Sequence, residues 1–244
     1  MKILAIDTAT EILSVAYVGF MPPVRVSHDI ATGLRHSELL VPAIRTVLEH
    51  AGCTIADIDA IACMNGPGSF TGLRIGIATA KGITAGSGVP LVTVPTLDVY
   101  AEPFHGMARI VVPVIDAKKR RFYSAIFVDG RRVTDDADLP PEKIIDTIRA
   151  VIEAHEEIGD RDGSRVLIVG PHAGLFLTVA PMSLGSRLFA PRLAASSALS
   201  LATLARGLLA SGRTASDETA PVYLRESEAR LPGATRTHAP DGET

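Results

Sequence analysis

Cysteine is scarce in this chain of 244 residues: there are two, Cys53 and Cys63, and no Cys-x-x-Cys. That excludes a disulfide framework and a zinc ribbon, and it fits a reducing compartment. An excess of one charge is missing too. Lysine and arginine number 24 against 27 aspartates and glutamates, a formal net charge of −3. No electrostatic footprint therefore marks a nucleic acid or an anionic membrane as sole partner. Long hydrophobic runs are also absent. The opening MKILAIDTATEILSVAYV has the look of a signal peptide until Asp7 and Glu11 interrupt it. Nowhere do about 18 uncharged apolar residues follow one another, as a membrane span requires. The expectation is a cytoplasmic, soluble protein with no membrane partner.

The usual signatures of catalysis are missing as well. The seven histidines are scattered and form no His-Glu-x-x-His or other metal-ligand spacing. No Gly-Lys-Ser/Thr completes a Walker A loop, and Ser69 in GPGSFTG does not sit in a Gly-x-Ser-x-Gly elbow. No nucleophile, base and orienting group can be named together. The expected catalytic residues are none, and the expected metal ligands are none.

What is present is a globular composition, 47% apolar and 21% charged, in a chain long enough to bury about 70% of its unfolded surface. KILAID, the polar turn TATE and the alternating LSVAYV read as strand, turn, strand. The pattern returns at IVVPVID (110–116), AKKRR and FYSAIFV (122–128), so that both copies end a strand in Ile-Asp. One echo at about half the chain length predicts two related halves. Between the copies, residues 35–51 place Leu39, Leu40, Ala43, Ile44 and Val47 at helical spacing, with Pro42 inside, and residues 70–86 predict a second helix. IDAIACM (58–64) and PLVTV (90–94) read as strands; the second half adds helices over 141–157 and 196–212 and a strand at 165–170. Strands mixed with helices make this an α/β protein. The expected organisation is an N-terminal subdomain over 1–102 that carries both early helices and a C-terminal subdomain over 107–214. A segment over 215–230 containing PVYLR and a disordered tail over 231–244 follow.

NGPGSFTGLRIGIATAKGI (65–83) is the most distinctive stretch. Gly66, Gly68 and Gly72 make Gly-x-Gly-x-x-x-Gly, one residue too long for the dinucleotide fingerprint. The loop either points free backbone N–H groups at an anion or is a tight strand-to-helix turn. Behind it, Gly72, Gly76, Ala80 and Thr84 recur every fourth residue, and so do Ala78, Gly82 and Gly86. Each helical glycine costs on the order of 1 kcal/mol relative to alanine, so several together imply close packing against another helix. Asp7, beside Thr8 and Thr10, either holds a metal–phosphate complex or bonds its own turn. Asp116 is its echo. The cations Lys118, Lys119, Arg120 and Arg121 either touch phosphate or form a solvated turn.

Four stretches taken together, KILAIDTATEILSVAYV, NGPGSFTGLRIGIATAKGI, VIDAKKRRFYSAIFV and PVYLR, resemble the TsaB (YeaZ) family of tRNA threonylcarbamoyladenosine biosynthesis. The resemblance runs from Met1 to about Arg225, and its glycine loop is specific in length and order. It implies an actin/Hsp70/sugar-kinase-like (ASKHA) fold of two related subdomains. It also implies a scaffold or dimerisation subunit that is a non-catalytic paralogue of TsaD. TsaD carries a metal-binding His-x-x-x-His just past the strand that follows the related loop. Lining up the Val-Pro places Thr96 and Tyr100 at those two positions, and neither is a good replacement for imidazole. Sugar-kinase relatives use Asp-x-Gly where Ala9 follows Asp7 and Thr8 here, which counts against tight ATP hydrolysis and leaves at most weak nucleotide binding at Asp7, Thr8, Gly66 and Gly68.

By the same resemblance the chain needs no cofactor of its own, metal and ATP being used by partner subunits. It would bind TsaD directly and the ATPase TsaE through the complex. A homodimer is the other pairing, and tRNA is met indirectly. The interface would lie on the helices 35–51 and 70–86, through Leu39, Leu40, Ala43, Ile44, Val47, Gly72, Gly76 and Ala80. The rivals are a small kinase resembling type III pantothenate kinase, which needs a glycine that the start DTAT lacks, and a metalloprotease, against which Thr96 and Tyr100 count.

Overall fold

The computed structural model describes residues 1–33, 35–154, 165–191, 196–216 and 218–224. Residues 155–157 of the expected fourth helix, Arg225 of PVYLR and the expected disordered tail lie outside the described residues.

Alternation of apolar residues builds the first sheet from β1 (Lys2–Asp7), β2 (Ile12–Phe20), β3 (Pro23–Ala31), β4 (Ala60–Met64) and β5 (Leu91–Val94). Its order is β3-β2-β1-β4-β5, antiparallel on the β2 side of β1 and parallel on the β4 side. Because successive side chains point to opposite faces, Leu4 and Ile6 face one way and Ile3 and Ala5 the other. Helices α1 (His36–His50) and α2 (Phe70–Ser87) cover the first face. Pro42 lies within α1, which continues through it.

The second sheet repeats the plan. Its strands are β6 (Ile110–Asp116), β7 (Phe122–Ser124), β8 (Phe127–Val128), β9 (Arg131–Arg132), β10 (Ala137–Leu139), β11 (Val166–Val169) and β12 (Leu188–Phe189). The order β10-β7-β6-β11-β12 matches the first sheet position for position. The expected single strand FYSAIFV is interrupted at Ala125–Ile126. Pro113 on the facing strand has no N–H to give, and Ile126 turns its own N–H to Thr134 Oγ1 (2.9 Å) and its carbonyl to the Val133 N–H. A short α3 (Thr96–Ala101) leads from one sheet to the other, burying Leu97 and Ala101 against Val111 and Ile115. Helix α4 (Pro141–Ala154) puts Ile144, Ile145, Ile148 and Ile152 into the second core, together with α5 (Ala173–Val179).

One helix departs from the expected division at residue 107. Helix α6 (Ser197–Ala210), expected in the C-terminal half, crosses back to the far face of the first sheet. Its inward residues Ala198, Leu201, Ala202 and Ala205 are all 0% exposed, against Ala5, Ala16, Ala60 and Ala62. Small residues on both surfaces let helix and sheet approach closely and pack without voids. Among the described residues no helix is long and apolar enough to cross a membrane.

Candidate functional site

The end of β1, the glycine loop after β4 and the start of α6 meet at Asp7. Its side chain is fully buried. One oxygen accepts the Ala9 N–H at 2.8 Å; the other accepts Tyr100 Oη at 3.1 Å and Ser197 Oγ at 2.5 Å. Burial pushes its pKa up to about 6, and the three hydrogen bonds, led by Ser197, pull the other way. Three hydrogen bonds from the chain itself fall on the two oxygens, one of them from Ala9 two residues on, as the turn reading of Asp7 expects. The echo extends to hydrogen bonding: Asp116 accepts the Lys118 N–H at 2.7 Å, two residues on, as Asp7 accepts that of Ala9.

Thr96 and Tyr100, one turn apart on α3, divide in role. Tyr100 serves Asp7, while Thr96 Oγ1 is buried with no hydrogen-bond partner. Among the described residues no group of three or more His, Cys, Asp or Glu is placed to hold a metal.

The loop's glycines press on the protein's own backbone. Ser69 N–H bonds Ala9 O at 2.7 Å, and a Cβ on Gly68 would fall 2.5 Å from that same oxygen. Thr8 Oγ1 donates to Gly72 O at 2.8 Å, and a Cβ on Gly76 would collide with that hydroxyl. Gly66, at φ +114°, lies under Val222, whose carbonyl would be 2.5 Å from a Cβ. The loop thus abuts Thr8 and Ala9, next to Asp7, through Gly68, Gly72 and Gly76, whereas Gly66 meets Val222 and Leu73 instead. Of the two readings of the loop, a tight turn accounts for these contacts; no phosphate is needed to explain its glycines.

Beside the loop lies a cleft of about 410 Å³ between the two sheets, bounded by Glu11, Ser69, Asp116, Lys118 and His172. Lys118 pairs with Asp116 at 2.9 Å, and His172 Nε2 lies 3.0 Å from a Glu11 carboxylate oxygen. Lys118, Lys119 and Arg120 form an exposed turn with three successive positive φ values, while Arg121 is tied to Asp138 at 2.8 Å.

The helices correct the expected interface. Leu40, Ala43, Ile44 and Val47 of α1, at 1, 2, 7 and 0% exposure, lie in the core beneath the sheet. Gly72, Gly76 and Ala80 of α2 are buried as well, and Leu39 is half-buried. Core-facing residues cannot meet a partner: the apolar stripe of each helix is consumed by its own sheet. The outward faces belong to other residues. On α1 these include Glu38, Val41 and Arg45; on α2 they include Thr71, Arg74, Ala78, Gly82, Ala85 and Gly86. Nothing lies within 4 Å of where a Cβ on Gly82 or Gly86 would be. The second small-residue series, Ala78, Gly82 and Gly86, therefore faces solvent.

Pro221–Leu224 crosses the head of α2. Val222 N–H bonds Asn65 O at 2.6 Å, and the Tyr223 ring lies 4.7 Å from that of Phe70. Arg74 stands 3.9 Å over the Phe70 ring and donates from Nε to Tyr223 Oη at 2.9 Å. PVYLR marked this segment in the sequence; nothing in its spacing linked it to residue 74.

The family model for TsaD, tRNA N6-adenosine threonylcarbamoyltransferase, matches residues 3–159. The tRNA threonylcarbamoyladenosine biosynthesis protein TsaB of Escherichia coli (strain K12) is 30% identical over 96% of this chain and 99% of its own length. The solved structure of YeaZ from Pseudomonas aeruginosa superposes with a TM-score of 0.72 at 28% identity, covering 91% of this chain and 99% of that one. The ROK hexokinase of Thermus thermophilus shares the fold alone, with a TM-score of 0.50 at 12% identity over 86% of this chain and 100% of its own. With the paired five-strand plan described above, these neighbours identify the fold as actin/Hsp70/sugar-kinase-like.

Proposed function

Because the chain belongs to the TsaB (YeaZ) family of tRNA threonylcarbamoyladenosine biosynthesis proteins, we propose that it acts in that pathway as a non-catalytic subunit docking onto TsaD. The observation that carries this reading is the outward face of α2. Gly82 and Gly86 sit in an exposed stretch of helix with no neighbour that would object to a side chain. A glycine in a helix interior such as Gly82 costs about 1 kcal/mol relative to alanine, and the chain's own packing gives nothing in return. A partner helix that approaches closely over Ala78, Gly82 and Gly86 supplies the reason.

The state of Asp7 supports the non-catalytic half of the reading. The buried carboxylate is engaged by Ala9, Tyr100 and Ser197 of the chain itself, which gives it a role that needs no metal–nucleotide. Metal, ATP and the transfer of the threonylcarbamoyl group to adenosine then belong to TsaD and, through the assembled complex, TsaE. This chain meets tRNA indirectly. The same stripe serves a second copy of the chain when TsaD is absent.

Reconstitution tests the proposal. TsaD and this chain, separately and together, are supplied with threonylcarbamoyl adenylate and unmodified tRNA, and the nucleosides are read by mass spectrometry. Modification that requires TsaD and rises on adding this chain is expected. Modification by this chain alone would overturn the reading.

A further inference from the structure

We infer that β3 is a joint between two copies of this chain: its outer edge pairs antiparallel with β3 of a second copy about Ser27, extending the first sheet across both. The joint is separate from the α2 face and does not depend on the docking role proposed above.

Strand β3 is an edge of the first sheet, nine residues long, and its pairing with β2 runs from Pro23 to Ala31 without a bulge. Which of its backbone groups are free follows from the register. Phe20 gives its N–H to Met1 O on the β1 side of β2, whereas Glu11 O takes the Thr32 N–H on the β3 side. Backbone groups alternate in direction along an antiparallel strand. Val24, Val26, His28 and Ile30 therefore bond β2, while Arg25, Ser27, Asp29 and Ala31 turn their N–H and C=O outward. All four of the latter are exposed, and among the described residues no strand takes them up. Proteins blunt such edges with bulges, short strands, proline or a covering segment. Here Pro23 stands at the first position and the rest of the edge is open.

The strand is complementary to itself. Its midpoint is Ser27, so the antiparallel register that pairs its whole length sets Ser27 opposite Ser27 of the second copy and Arg25 opposite Asp29, at both ends. Opposite charges directly across a strand pair stabilise it; registers centred on Arg25 or Asp29 instead would oppose like charges. On the α1 side Val24, 38% exposed, meets Ile30, and Val26 meets His28, joining side chains that α1 leaves partly open. A two-fold axis repeats every contact and closes the pair at two copies. Helix α2 packs over β4 and β1, away from this edge, so each copy keeps its α2 face.

The test uses the full-length chain carrying Gly82→Leu as parent, which closes the α2 face to pairing. Residues opposite each other in a hydrogen-bonded pair have Cα atoms about 5.5 Å apart, within reach of a disulfide. Under mild oxidation Ser27→Cys is expected to give a covalent dimer on a non-reducing gel. Ala31→Cys, whose counterpart lies at the far end of the joint, should give no more than the parent. Light scattering after size exclusion should show the parent as a dimer and Ser27→Pro as a monomer with an unchanged urea midpoint, because the lost N–H serves no bond within its own sheet. A parent that is monomeric at every concentration overturns the inference, and so does a Ser27→Pro chain that pairs as the parent does. Equal cross-linking at 27 and 31 overturns it as well, and decides alone if Ser27→Pro fails to fold. None of these results bears on docking to TsaD.

Discussion

Gly76 lies directly against Thr8: the Thr8 hydroxyl that donates 2.8 Å to Gly72 O occupies the place a Gly76 side chain would take. Two turns along the same helix, Gly82 has open space around it. Identical substitutions at the two positions should therefore behave in opposite ways. Gly76→Leu is expected to lose several kcal/mol or fail to fold, since a whole side chain must enter a packed core where even small additions cost about 1–3 kcal/mol. Gly82→Leu is expected to remain folded and gain up to about 0.8 kcal/mol from helix propensity alone. Urea unfolding of both variants checks this; equal destabilisation would contradict the assignment of faces.

Asp7 predicts a pH dependence. Its pKa of about 6 in the folded chain stands above the ordinary 3.8, so the folded state holds this proton more tightly than the unfolded state does. The stability it contributes is fully present below about pH 4 and is lost as pH rises through about 6, amounting to about 3 kcal/mol. Asn at this position can accept from Ala9 and donate to Tyr100 and Ser197. Asp7→Asn should therefore lose less stability than wild type between pH 4 and pH 7 in urea titrations. Parallel curves would show that Asp7 titrates normally.

Ser197 gives Asp7 its shortest hydrogen bond, 2.5 Å. Ser197→Ala should cost about 1–3 kcal/mol. Because the hydroxyl serves the ionised carboxylate, the loss should be larger at pH 8 than at pH 5, and the pKa of Asp7 should climb further. A pH-independent loss would mean that Ser197 acts through packing alone.

Nucleotide is expected to find little purchase. The loop's glycines pack on Ala9 and Val222, and Asp7 is buried and bonded to Ala9, Tyr100 and Ser197. Isothermal titration with Mg-ATP should give no micromolar binding, and phosphate release should match the buffer blank. Micromolar affinity with turnover would restore the kinase alternative.

The duplicated halves were legible because KILAID and IVVPVID carry the same apolar run, aspartate and turn. Other features were hidden for physical reasons. Strand β3 alternates weakly, carrying Arg25, His28 and Asp29 on a sheet edge, so its apolar signal is thin. The apolar stripe of α6 says that the helix is buried and not against which sheet. The two small-residue series of α2 share one spacing, and only the sheet decides that Gly72 and Gly76 turn inward while Ala78 and Gly82 turn out. Two of the three partners of Asp7, Tyr100 and Ser197, lie 93 and 190 positions away, beyond any local pattern.

The most direct test of the docking account is light scattering after size exclusion on wild type and Gly82→Leu, each alone and mixed with TsaD. The account predicts that wild type elutes with TsaD as a complex. Gly82→Leu, folded and at least as stable, should elute apart from it, because a leucine on the outward stripe holds the partner helix off. A Gly82→Leu chain that joins TsaD as fully as wild type would contradict the claim that the open face of α2 is the docking surface.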